Sequence, residues 1–206
     1  MTARFWRKGR SVRIWIPSVI VACVALVGPA SAQETDTVLV VYASRTGNTE
    51  TLAKAVLDGA AAVAGVTAIL RSAAEVTDDE LAAADGVIIG TPVHWGNASV
   101  EILQVVDRIG RTSGARAMDD WRAVGTFVSS GNHTNGSEFA RLGVLSALMA
   151  MRFIAVGGVT ADGRGSIGAQ ATTGASDQGL SESEIEQARR LGDRVAQVTR
   201  RLRAAR

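Results

Sequence analysis

Ser44, Thr46 and Thr49 bring three hydroxyls into one short stretch of chain, around Gly47 and beside Arg45 and Asn48. Residues of these types at this spacing suit the cradling of a phosphate dianion. The glycine lets the backbone curl so that its N–H groups converge, and the hydroxyls add further donors. The preceding run, Val38-Leu39-Val40-Val41, is continuously apolar, as a strand buried on both faces requires. After it, Leu52, Val56, Ala60 and Val63 recur at helical spacing, so the turn lies at the positive end of a helix dipole. An ordinary strand-to-helix connection capped by Asn48 or Thr49 is the plain alternative.

Two further segments share this character. Gly90-Thr91-Pro92-Val93-His94-Trp95-Gly96-Asn97 leads into a helical pattern of Val100, Leu103, Val106 and Ile109, and Ser129-Ser130-Gly131-Asn132-His133-Thr134-Asn135-Gly136-Ser137 follows another apolar run. A flat heteroaromatic ligand needs backbone donors and acceptors for its edge and an aromatic face for its ring, and these segments offer both. Trp95 supplies the aromatic face, or else packs on its own helix. The chain has two histidines, His94 and His133, and both fall here. Imidazole titrates near neutrality, so each is a candidate catalytic proton donor as well as a hydrogen-bonding loop residue. With no cysteine or paired carboxylate beside them they do not make a metal site. No G-x-x-x-x-G-K-[ST] is present to support nucleotide hydrolysis.

The elements that must position these residues alternate. Apolar runs predict strands at 38–42, 66–70, 86–91, 123–129 and 153–157, and periodicity predicts helices at 49–64, 77–84, 98–110, 137–150 and 182–204. Thr77-x-x-Glu80 and Ser181-x-x-Glu184 fit the capping box. The expected fold class is therefore α/β, a doubly wound five-stranded parallel sheet in the order 2-1-3-4-5. Ligands of such sheets bind outside the strand C-termini, at the switch between strands 1 and 3. Residues 157–180 contain seven glycines and no clear element, which reads as a lid rather than a linker.

At this point the residues resemble a family. S-R-T-G-N-T, A-D-G-V-I-I-G-T-P-V-H-W-G-N, F-V-S-S-G and S-I-G-A-Q-A-T-T-G together resemble the flavodoxin-like FMN proteins, most closely the WrbA-type NAD(P)H:quinone oxidoreductases, from about Val38 to Leu202. The resemblance implies that Ser44, Arg45, Thr46, Gly47, Asn48 and Thr49 hold the FMN phosphate. It also implies that Thr91, Pro92, Val93, His94, Trp95, Gly96 and Asn97, with Ser130, Gly131, Asn132 and Gly136, line the isoalloxazine. It further implies NAD(P)H as co-substrate, a quinone-like acceptor, and a homodimer or homotetramer. Two departures stand out. The stretch Leu148-Met149-Ala150-Met151-Arg152 lacks the family's histidine, and residues 110–120 lack its tryptophan. The other reading is an electron carrier of the same fold without its own substrate pocket.

The first 32 residues read as an export leader. Arg4, Arg7, Lys8, Arg10 and Arg13 precede an apolar stretch, Ile14 to Val27, and Ala30-Ser31-Ala32 fits a cleavage site. As a helix that stretch spans about 21 Å, short of a ~30 Å hydrocarbon core. Ile20-Val21-Ala22-Cys23 also resembles a lipoprotein box, which would leave a lipid anchor. A periplasmic or extracellular domain, 33–206, is the expectation. The chain is +2 overall, but the leader holds five of its 22 basic residues and none of its 20 acidic ones, which leaves the domain at −3. This balance gives no footprint for nucleic acid. It is also mild for a carrier that docks through an acidic face. Arg189, Arg190, Arg194, Arg200, Arg201, Arg203 and Arg206 on the last helix read as a solvated face that complements the helix dipole.

Overall fold

In the computed structural model the described residues are 35–113, 120–132, 135–160, 167–174, 177 and 179–205. The proposed leader and His133 lie outside them. In chain order the elements are β1 (Asp36–Tyr42), α1 (Asn48–Ala61), β2 (Val66–Ser72), α2 (Asp78–Ala83), β3 (Gly86–His94), β4 (Asn97–Ala98), α3 (Val100–Ser113), β5 (Arg122–Ser130), α4 (Ser137–Ala150), β6 (Phe153–Ala155), β7 (Ala169–Thr172) and α5 (Glu182–Ala204).

The main sheet runs β2-β1-β3-β5-β6 with every pairing parallel. The path follows the expected order, but the sheet has seven strands rather than five, because the two-residue β4 folds back on β3 and β7 adds to β5. Alternate side chains of each strand feed opposite layers. Val38, Val40, Ile88 and Phe127 pack with Leu52, Val56, Leu191 and Val195 of α1 and α5. Leu39, Val41, Val87 and Ile89 pack with Leu81 of α2, Ile102 and Ile109 of α3, and Leu145 and Leu148 of α4. The continuous apolar runs in the sequence are thus explained by burial on both faces.

Three expectations are corrected. The fifth strand is not one run over 153–157. β6 ends at Ala155, although the Val156 N–H still reaches the Val124 carbonyl at 2.8 Å. The edge of the sheet resumes as β7, parallel to β5 at Phe127–Ser130, so the region 157–180 contains a strand. The return is held by buried Arg141 of α4, which donates to the Gly168 carbonyl at 3.0 Å and to Gln170 Oε1 at 2.8 Å. The third helix begins at Val100 rather than 98, because Asn97 and Ala98 are spent on pairing with β3. The last helix is not simply solvated. Arg203 pairs with Asp36 at 3.4 Å and Asp85 at 3.2 Å, and Arg200 with Asp36 at 3.5 Å, tying α5 to the N-terminal ends of β1 and β3.

Both capping boxes form. In the first, the Thr77 N–H donates to Glu80 at 3.0 Å and Arg71 Nε donates to the same carboxylate at 2.7 Å. The Thr77 backbone bond, helped by Arg71, holds the Glu80 carboxyl below its ordinary range. A depressed carboxyl stabilises the fold above its unfolded-state value and loses that stabilisation as pH falls through the folded one. The stability difference between wild type and Glu80→Gln, read from urea midpoints, should therefore be largest near neutrality and shrink to nothing in acid. A difference that is flat with pH would remove the carboxylate from the account.

Candidate functional site

The chain leaves β1 at Tyr42 and enters α1 through Gly47, the N-cap, at φ 94°. That left-handed conformation is open to glycine at little cost. Ser44 Oγ accepts from the Gly47 N–H at 3.1 Å. No side chain caps α1, so the plain alternative of an Asn48 or Thr49 cap does not hold. Asn48 instead donates from Nδ2 to Thr46 Oγ1 at 3.1 Å and to Asp177 Oδ1 at 2.7 Å. Thr49 is buried and shares a 2.7 Å hydrogen bond with Ser129 Oγ of β5. The helix therefore presents its first turn without a capping acceptor, the condition that suits an anion. Arg45 and Thr46 are exposed beside it.

The second segment is mostly strand rather than loop. β3 runs through Thr91, Pro92, Val93 and His94, and His94 and Val93 pair with Asn97 and Ala98. Trp95 and Gly96 form the two-residue turn, at φ 53° and 77°. Positive φ at both central residues is the requirement of a type I′ hairpin. It is unusual for tryptophan, and the whole side chain stands exposed at the tip. Thr91 is buried and faces the fold: its Oγ1 donates to the Pro92 carbonyl and accepts the Ser99 N–H, both at 2.9 Å. His94 is half-buried, and Asn97 Oδ1 accepts the Ala98 N–H at 3.0 Å.

The third segment ends β5 and opens α4, again through a glycine N-cap: Gly136 at φ 92°, with no capping side chain. Ser137 Oγ donates to Ser130 Oγ at 3.0 Å, and Ser130 Oγ donates to the Asn132 carbonyl at 2.9 Å. Gly131 and Asn132 are exposed. A Cβ on Gly136 would lie 2.5 Å from the Gly96 carbonyl oxygen. The hairpin and the start of α4 are therefore in direct backbone contact.

Three segments, two of them leading into uncapped helices, thus meet at the C-terminal edge of adjacent strands β1, β3 and β5. The buried Thr49–Ser129 hydroxyl pair ties the first segment to the third, and the Ser130–Ser137 pair closes the third on itself. Sequence reasoning missed Ser137, Ser129 and Asp177 as partners. It also missed the loop after β2: a cleft of about 220 Å³ beside Ser44 and Arg45 is lined by Tyr42, Glu50, Ser72, Ala73, Pro92 and Glu101. Only the small-residue run Ser72-Ala73-Ala74 signals that loop in sequence. Burial, then the carboxylates of Glu50 and Glu75, push the Tyr42 phenol up. Glu101's own backbone N–H, then the Ser99 hydroxyl, hold its carboxyl low, and the Arg45 guanidinium acts in the same direction.

A flavodoxin-domain family model matches residues 39–114, which span the first two of these segments. A flavodoxin of Aquifex aeolicus is 34% identical over 164 residues, covering 78% of this chain and 85% of the relative. This chain belongs to the flavodoxin family. Within that family it is also similar to an NAD(P)H dehydrogenase (quinone) of Syntrophobacter fumaroxidans, at 30% identity over 80% of this chain and 98% of the relative. The fold matches the crystal structure of a WrbA-like flavodoxin from Agrobacterium tumefaciens with a TM-score of 0.65, at 24% identity, over 81% of this chain and 99% of that one.

The flavodoxin family implies FMN, and the residues present fit it. The Gly47 cap leaves backbone donors open for a phosphate, with the hydroxyls of Ser44 and Thr46 at hand. The apposed Gly96 and Gly136 let two backbones meet where side chains would keep them apart.

Proposed function

We propose that this flavodoxin is an exported FMN-dependent oxidoreductase that takes electrons from NAD(P)H and passes them to a quinone-like acceptor. The observation that carries the reading is the meeting of three ligand-type segments at the ends of β1, β3 and β5, two of them with glycine-capped helix starts. FMN, when bound, supplies hydride acceptance and one- or two-electron donation. The chain supplies the rest. Ser44, Thr46 and the N–H groups from Asn48 onward hold the phosphate, with Gly47 shaping the turn and Arg45 adding positive charge. Backbone from Thr91 to Asn97 and from Ser130 to Gly136 addresses the edge of the isoalloxazine. Trp95, exposed on its hairpin, offers a face to the second substrate, and His94 or His133 returns a proton to the reduced acceptor.

Export rests on the basic, apolar and small-residue order of residues 1–32; among the described residues no helix is long and apolar enough to cross a membrane. Association into a dimer or tetramer is supported by exposed apolar side chains on α4, namely Phe139, Leu142 and Met149. Apolar patches of this kind on a surface are commonly covered by a partner.

Titration with FMN, followed by flavin fluorescence, tests the cofactor. Steady-state oxidation of NADH or NADPH with benzoquinone then tests the reaction. Binding in the micromolar range or tighter and rapid turnover are the expected results. Tight FMN binding with negligible turnover and a stable one-electron form would favour the carrier, a reading also supported by the flavodoxin named above. No uptake of FMN overturns both.

A further inference from the structure

The phosphate loop carries a carboxylate brought from far along the chain. Asp177 Oδ1 lies 2.7 Å from Asn48 Nδ2, across 129 residues of sequence, and the same nitrogen donates to Thr46 Oγ1 at 3.1 Å. Asp177 adopts φ 47°, and its N–H points to the Gly174 carbonyl at 3.4 Å, so a turn following β7 delivers it to the loop. The left-handed conformation carries an intrinsic penalty for any residue with a Cβ, mildest for Asp and Asn. The contact with Asn48 offsets that penalty.

The electrostatic setting gives this carboxylate a consequence. Arg45 is the one cation in residues 44–49. The next, Lys54, is engaged by Glu50 at 2.7 Å. An anion arriving at the uncapped first turn of α1 therefore meets Arg45, whose charge is shared with Glu101 across the cleft, and the Asp177 carboxylate bonded to Asn48. A dianion feels that carboxylate twice as strongly as a monoanion does, and a neutral ligand does not feel it.

We propose that Asp177 is a specificity-determining residue of the phosphate loop: it braces Asn48 and Thr46 through its hydrogen bond while its charge holds back a phosphate dianion, so that the loop discriminates among ligands by their charge. The proposal rests on the reading of residues 44–49 as the FMN phosphate site. It separates two roles that Asp177→Asn divides, since asparagine keeps a carbonyl oxygen to accept from Asn48 and loses the charge. Asp177→Ala loses both.

The test compares FMN with riboflavin, which carries the same ring and ribityl chain without the phosphate, on full-length wild type, D177N and D177A. The expected result is FMN affinity raised about five- to tenfold in D177N at low ionic strength, with riboflavin affinity unchanged and the gain fading as salt screens the charge. D177A should gain less than D177N, because Asn48 and Thr46 lose their brace. An unchanged or lowered ratio of FMN to riboflavin affinity in D177N overturns the proposal. Thermal melts with and without inorganic phosphate give a second readout that needs no flavin. Phosphate should raise Tm more in D177N than in wild type, and an equal shift also overturns the proposal. If wild type takes up no flavin, the FMN reading fails by itself, while the phosphate melts still decide the role of Asp177.

Discussion

Gly136→Ala should lower FMN affinity about 100-fold or more while leaving the domain folded. The residue sits at φ 92°, where a Cβ is strained by roughly 1–2 kcal/mol. The added methyl would also lie 2.5 Å from the Gly96 carbonyl oxygen and 2.7 Å from Gly96 Cα. Both neighbours are backbone, so no side chain can swing away, and the 94–97 hairpin must part from the start of α4. Those two segments are the proposed isoalloxazine edge contacts, so the misfit falls on binding geometry more than on the core. Fluorescence titration with FMN and riboflavin measures the effect, and both ligands should weaken together, unlike in the Asp177 variants. Near-normal affinity would mean that the flavin ring does not use this junction.

Gly192→Ala is the second large effect, and it acts on stability. Gly192 of α5 and Gly59 of α1 lie where the two helices touch, and a Cβ at Gly192 would overlap the Val56 carbonyl oxygen, while one at Gly59 would overlap that of Arg189. Overpacking against immovable backbone costs about 1–3 kcal/mol or more. The helix-propensity gain of alanine over glycine offsets about 1 kcal/mol of that. A net loss of about 1–2 kcal/mol is expected, a fall in Tm of roughly 2–8 °C for a domain of this size. Gly143→Ala in α4 is the contrasting variant. Its Cβ would meet nothing within 4 Å on an exposed surface, so it should be neutral or stabilising by up to about 1 kcal/mol. Equal melting temperatures for G192A and G143A would show that the helices part freely.

What the sequence by itself determined is whatever is local. Continuous apolar runs marked the strands buried on both faces. The capping boxes at Thr77 and Ser181 marked the N-caps of two helices, although the first runs over 78–83 rather than 77–84, and α4 and α5 run over the ranges read from periodicity. The alternation of elements limited the sheet to a doubly wound order, and that order put Ser44–Thr49, Thr91–Asn97 and Ser130–Gly136 at one edge. All of these rest on interactions between residues a few positions apart, or on the handedness of one crossover.

Tertiary structure alone decided the rest. The edge strand splits into β6 and β7 because a buried arginine on α4 captures the chain at Gly168 and Gln170, a contact with no signature in the glycine-rich stretch itself. Helix α1 takes a glycine cap because Asn48 and Thr49, sound caps by type, are drawn instead to Asp177 and Ser129. Trp95 rises on a hairpin tip because Asn97 and Ala98 return to β3. In each case a polar group had several partners of nearly equal intrinsic worth. The choice among them depended on which one the packed sheet brought within about 3 Å, and that proximity is a property of the whole fold.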